Sequence, residues 1–325
     1  MRVNALFNHK TGNNNIAMGY NALSNSRDGN HNIAIGTNAM LNHKTEGLNT
    51  AVGYRSLEDN TTGSNNTAMG ENALANNTTA SNNTALGSGA LKVNTTGIKN
   101  TAIGTSTLTA NITGSENTAI GFNALAANTS STGNVAVGAN ALQTATTGSS
   151  NTAVGYNALM NATIATHNTA IGYQNLNALT SGSQNIAVGS NILNALTVST
   201  NNIGIGYNIL TANVSGGFNI GIGFNILTSS TSSNNIGIGN NALAASTTGQ
   251  QNIAIGMGAL DQLTTSSSNI GLGANVLGAT TTGTGNTAFG TSAMFNNTTG
   301  GSNVAIGHSA LLTNTTGSSL TCIGE

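Results

Sequence analysis

The chain of 325 residues carries only seven Lys/Arg and eight Asp/Glu, beside 43 Gly, no Pro, no Trp and one Cys. At 5% charged and 38% apolar residues it matches neither an ordinary soluble domain, about a quarter charged, nor a charge-driven disordered segment. All seven basic residues (Arg2, Lys10, Arg27, Lys44, Arg55, Lys92, Lys99) precede residue 100, and the stretch from Thr101 onward holds three acids and no base, so no nucleic-acid partner is expected.

Met1–Gly12 lacks the apolar core of a signal peptide, and no run approaches the ~18 apolar residues of a spanning helix, so no membrane insertion is expected. The lone Cys322 excludes an intrachain disulfide framework.

From its start the chain repeats one unit. A half motif, Val3-Asn4-Ala5-Leu6, is followed by Asn-(Thr/Ile/Val)-(Ala/Gly)-apolar-Gly, whose Gly recurs from Gly19 to Gly324. Seventeen of eighteen intervals are 17 residues; the step from Gly223 to Gly239 is one shorter, within the variable stretch 228–233. After the anchor Gly the consensus reads x-Asn-Ala-Leu, then a polar stretch often containing Thr-Thr-Gly-Ser. Asn and Gly bracket each apolar run after three or four residues, too short for a helix, and its Thr, Ile and Val favour a strand. A further Gly seven residues before the anchor, as at Gly12, Gly29, Gly63, Gly97, Gly114 and Gly148, is expected to supply a positive φ. The prediction is an all-β chain, a single repetitive domain over 1–325: a parallel β-solenoid of about 19 coils that, at ~4.8 Å per coil, makes a rod roughly 90 Å long.

Two columns are expected to form the core seam: the apolar residue before the anchor Gly (Ile35, Ile103, Ile120, Ile171) and the Leu four residues after it (Leu74, Leu125, Leu142, Leu176). The Ala/Gly column between Thr and Ile points the opposite way on the strand. With both strand faces apolar, one face is expected to need a partner chain, which predicts a homo-oligomer. The Asn opening each motif occupies eighteen of nineteen coils, with Leu320 the exception, and is expected to form a hydrogen-bonded amide ladder.

Sites of chemistry are few. Gly204-Ile-Gly206, Gly221-Ile-Gly223, Gly237-Ile-Gly239 and Gly271-Leu-Gly273 resemble the opening of a dinucleotide loop, but lack the third Gly, the helix and the acidic residue. His9, His31, His43, His167 and His308 are scattered and read as surface residues, and no His/Asp set recurs beside the many Ser and Thr. No catalytic, cofactor or metal site is expected. All five tyrosines and two phenylalanines, Tyr20, Tyr54, Phe122, Tyr156, Tyr173, Tyr207 and Phe224, directly follow an anchor Gly; they read as corner or interface stacking, or as a platform for sugar rings or a receptor.

At Ala119-Ile120-Gly121-Phe122-Asn123-Ala124 and Ala153-Val154-Gly155-Tyr156-Asn157-Ala158 the sequence resembles the head repeats of trimeric autotransporter adhesins of the YadA type, and related shaft repeats of bacteriophage tail fibres. The resemblance spans essentially the whole chain. It implies a left-handed β-roll, usually a homotrimer, in an extracellular, cell-surface or virion-borne fibre used for attachment to a surface glycan or receptor. The longer unit, and the lack of a signal peptide, coiled-coil stalk and membrane anchor, lead one to expect a fibre shaft, a fragment or a filament subunit. The closing Thr321-Cys322-Ile323-Gly324-Glu325 is complementary in phase to the opening half motif, which predicts end-to-end stacking through Leu6 and Ile323. An ice-binding solenoid is the other class, weakened because motif position two passes from Thr (Thr50 to Thr118) to Ile (Ile186 to Ile270).

Overall fold

The structure, a computed structural model, describes residues 4–325, so Arg2 and Val3 lie outside it. The chain is all-β among these residues, a parallel β-solenoid built from 19 strands. It forms two compact units, Met1–His167 and Asn168–Glu325. The first holds strands β1 (Ile16–Met18) to β9 (Thr152–Val154), and the second β10 (Thr169–Tyr173) to β19 (Thr321–Ile323). Within each unit every strand pairs in parallel with its neighbour one coil on, like over like: Thr50 on Thr67, Ala51 on Ala68, Val52 on Met69. In the second unit Ile203, Gly204 and Ile205 lie on Ile220, Gly221 and Ile222.

Most strands are three residues long and stop before the anchor Gly, while β10 to β14 run on through it for five residues; its φ lies between 119° and 140° in every coil. That region is closed to residues with a Cβ. Two left-handed residues follow. The second after the anchor is commonly Asn, as at Asn123 (φ 55°), a residue that tolerates this conformation. The fourth is the Leu/Met column, with φ between 48° and 55° throughout, which costs on the order of 1–2 kcal/mol per residue. From Leu23 to Met294 these side chains are fully buried, and burial of a Leu, worth roughly 1.5–3 kcal/mol, offsets the strain.

The core departs from the expected seam in one of its two columns. Leu74, Leu125, Leu142 and Leu176 are fully enclosed, together with the Ala of the strand and the Ala two residues after the anchor Gly's successor, such as Ala119 and Ala124. Ile35 and Ile103 are only half-buried, and Ile120 and Ile171 are 36% and 41% exposed, so the isoleucine column is the outward one. Size decides the direction. The space between the strand and the Leu across the coil takes a methyl group or less, and a branched side chain fits only outside.

The Gly-apolar-Gly segments follow from the same space. In the second unit the small residue after the anchor turn is replaced by Ile192, Ile209 and Ile226. A Cβ on Gly204, Gly221 or Gly237 would lie 2.2, 2.3 or 2.4 Å from the Cγ2 of those side chains. Glycine in the strand compensates isoleucine across the lumen, and no phosphate loop is involved.

The Gly seven residues before the anchor also differs from expectation, since none of Gly12, Gly29, Gly63, Gly97, Gly114 and Gly148 has a positive φ. It is small because the coils approach closely there: a Cβ on Gly63 would lie 2.2 Å from the Ala80 carbonyl oxygen and 2.5 Å from Asn60 Oδ1. The left-handed residue is two positions later, as at Asn65 (φ 56°) and Asn82 (φ 62°).

Candidate functional site

The interior polar groups form two amide ladders. In the first, the motif Asn is buried; the Asn66 backbone N–H donates to Asn49 Oδ1 (3.0 Å), and Asn66 Nδ2 donates to the Ala80 carbonyl (2.8 Å). The same pattern repeats from Asn83 on Asn66 to Asn303 on Asn286. The second ladder, seven residues after the anchor Gly, runs through Asn60, Asn77, Asn94, Asn111 and Asn128, each Nδ2 donating to the preceding Oδ1 at 2.7–3.0 Å. Asn60 Nδ2 also donates to the Gly63 carbonyl, which receives Asn49 Nδ2 as well, both at 2.9 Å. The sequence signal for this ladder was the 17-residue recurrence of that Asn, obscured by the variable polar stretch around it. The column is Ala145 and Ala162 at the end of the first unit and mixed in the second, where Leu179, Leu263 and Asn297 occupy it.

His43 takes an Asn place in this column and is fully buried rather than a surface residue. Its Nε2 lies 2.7 Å from the Glu46 carbonyl, so it donates there, and Nδ1 accepts from Asn60 Nδ2 at 3.2 Å. A proton on Nδ1 would face the Asn60 amide donor. Burial pushes the His43 imidazole below its ordinary value of 6.5, opposed by the Glu46 carbonyl and carboxylate. The unfolded chain therefore binds this proton more readily. Stability is level above pH about 6.5 and falls as the pH drops below it, by at most ~1.4 kcal/mol per pH unit for one proton. Melting followed by circular dichroism between pH 7.5 and 5 is expected to show this decline, reduced in His43→Asn, which restores the ladder residue. An identical decline in both proteins would remove His43 as its source. Two coils earlier the same column holds His9, followed by Ser26; the short Ser26 leaves its own Oγ and His9 Nδ1 buried without partners.

The aromatic column lies outside. Tyr20, Tyr54, Phe122, Tyr156, Tyr173, Tyr207 and Phe224 are all about half exposed. Tyr173, Tyr207 and Phe224 end the five-residue strands β10, β12 and β13 and share a face with the isoleucine column two residues before, whereas Tyr20, Tyr54, Phe122 and Tyr156 stand in the turn just after a three-residue strand. Tyr207 and Phe224, on successive coils, stack with ring centroids 5.4 Å apart and planes 12° apart. Tyr20, Tyr54 and Phe122 have no aromatic on the adjoining coil of this column, so a continuous aromatic platform is absent from the first unit. Leu6 is partly buried and its backbone N–H donates to the Ala22 carbonyl (3.1 Å), whereas Ile323 on β19 is 76% exposed.

A groove of about 960 Å³ in the first unit is lined by Phe7, Lys10, Arg27, Lys44, Asn42 and Asp59, among others. Among the described residues no three His, Cys, Asp or Glu side chains come together to hold a metal ion, and no helix is long and apolar enough to cross a membrane. A scan against protein-family models and a search of the curated proteins return no match to this chain.

Proposed function

We propose that this chain is a non-enzymatic structural protein whose outward sheet face packs against further copies of itself in a fibre. The observation that carries the reading is the apolar ladder on that face. Met69, Leu86 and Ile120 in the first unit, and Ile171, Ile205, Ile255, Phe289 and Ile306 in the second, are all exposed. They are flanked by the Thr/Ile column two residues before and the aromatic-bearing column two residues after. Three columns spanning about 13 Å, over coils spaced ~4.8 Å, give roughly 500 Å² of flat face per unit. A face of this size with an exposed apolar column along its centre is of the order of the patches that are often functional, and because a standard interface needs ~800 Å² per partner, the contact between copies must extend beyond these three columns of one unit. The partner is a second copy because ridges repeating every ~4.8 Å mesh along their length only with a surface of the same pitch.

A trimeric, extracellular or virion-borne fibre used for attachment is the form this assembly takes by its resemblance to adhesin and tail-fibre repeats. Ice binding draws less support. Outward Thr at motif position two stands beside Ile, Val or Met, and the hydroxyls of Thr61, Thr78 and Thr95 in the outer loops donate to carbonyls one coil on.

Sedimentation of the full chain tests the reading. The native protein is expected to sediment as an oligomer, and Ile120→Lys/Val154→Lys/Ile205→Lys/Ile255→Lys as a monomer with unchanged far-UV circular dichroism. Electron microscopy of the native protein is expected to show rods or filaments. A native chain that stays monomeric up to high concentration overturns the proposal.

A further inference from the structure

Eight residues after each anchor Gly stands a column that is Thr in most coils, where its Oγ1 donates to the carbonyl of the same column one coil on, as Thr61 to Thr78 (2.9 Å) and Thr146 to Thr163 (3.1 Å). In the first coils that column is instead Lys10, Arg27 and Lys44. Three like charges are thereby stacked at the coil spacing of ~4.8 Å, and each gives up the hydroxyl-to-carbonyl bond that Thr makes there. All three are exposed and line one groove. The side-chain ion pairs among the described residues are Arg55 with Glu58, Lys99 with Glu116 and His308 with Glu325, so none of the three is held in an ion pair, and Asp59 is the one carboxylate that lines the groove with them.

The groove supplies more than charge. Two residues before the basic column runs an amide ladder, Asn8 Nδ2 to Asn25 Oδ1 (3.0 Å) and Asn25 to Asn42 (3.2 Å), exposed at Asn8 and Asn25 and ending where half-buried Asn42 donates to the Asp59 carboxylate (3.0 Å). Phe7, 71% exposed, also lines the groove. A row of cations at one spacing, a parallel row of amides and one exposed aromatic side chain suit a linear ligand with regularly placed anionic groups, hydroxyls and the apolar face of a pyranose. A single-stranded nucleic acid suits it less, since sequence-independent strand binding uses several aromatics to stack successive bases, and only one is present.

We propose that the Lys10–Arg27–Lys44 ladder is a binding site for an acidic linear glycan, one bearing sulfate or uronate groups. None of its residues belongs to the outward sheet columns, so the site stands independently of self-association.

The test is calorimetric titration of the full chain with a heparin-derived hexasaccharide at low salt, set against a neutral hexasaccharide and a single-stranded hexanucleotide. The native chain is expected to bind the sulfated glycan, and log K to fall linearly with log salt. Lys10→Thr/Arg27→Thr/Lys44→Thr installs the residue other coils carry, so it is expected to melt like the native protein. It should lose binding roughly 30-fold or more, with the salt slope flatter by about one for each charge removed. Lys92→Thr/Lys99→Thr, outside the groove, is expected to bind as the native chain does. No binding by the native chain, equal binding by the triple-Thr variant, or equally tight binding of the oligonucleotide overturns the proposal.

Discussion

Leu125→Asp is expected to abolish cooperative folding of the first unit, while Ile120→Asp, five residues earlier and equally apolar in sequence, leaves the unit folded. Leu125 is completely buried, in a column whose neighbours one coil before and after are the equally buried Leu108 and Leu142. Truncation of such a Leu costs about 2–5 kcal/mol through lost transfer energy and the cavity left behind. A carboxylate there adds the burial of a charge with no cationic partner, and the neighbouring amides are already engaged in their ladders. Because every coil is the template for the next, the damage is not confined to one turn. Ile120 projects from the opposite side of the strand and is 36% exposed, so an Asp at that position reaches water. Its effect is expected on association instead. Thermal melting and sedimentation of both variants check this: a cooperative melt for Leu125→Asp, or loss of fold for Ile120→Asp, would reverse the assignment of inside and outside.

Gly121→Ala is expected to destabilise the first unit by roughly 3 kcal/mol or more. Gly121 has φ 129°, and a Cβ placed on it would lie 2.6 Å from the Gly138 carbonyl oxygen and 2.7 Å from its carbon. The strained conformation alone costs about 1–3 kcal/mol for a residue with a side chain, and the clash falls on backbone that cannot rotate away. Gly97→Ala is the matched control. Its Cβ also meets a carbonyl, that of Gly114 at 2.2 Å, but its φ is not positive, and the same column already accepts Ala80 and Ala165, both buried. The coils already make room for an Ala at Ala80 and Ala165, so the shift of about an ångström that this Ala needs is one the stack accommodates elsewhere. Denaturant unfolding is expected to rank native, Gly97→Ala and Gly121→Ala in falling stability, and a reversal of the two variants would show that crowding, not backbone conformation, selects glycine at the anchor.

Period, strand and ladder were legible in the residues because each follows from local chemistry repeated 17 residues apart. Asn and Gly bracketing a short Thr/Ile/Val run cannot make a helix, and an Asn recurring at one phase stacks on itself whatever else the coil does. The alternation Thr-Ala-Ile likewise states that Ala and Ile point in opposite directions. It does not state which points inward, since both are apolar; only the width of the closed coil, too narrow for anything beyond a methyl group opposite Leu125, turns Ile120 out and Ala119 in. The same width pairs Gly204 with Ile192, a compensation between residues twelve apart in sequence that no local pattern reveals. The left-handed leucines of the core column were equally hidden, because nothing in a local Asn-Ala-Leu pattern shows that the closed coil encloses that side chain. His43 looked like one of five scattered histidines until the coil set it between Glu46 and Asn60, and Lys10, Arg27 and Lys44 like three of seven dispersed bases until the 17-residue winding stacked them. Sequence determined the repeat and its hydrogen-bonding columns; closure of the coil, by setting an interior volume and bringing residues 17 apart to within one strand spacing, decided inside, outside and the candidate site.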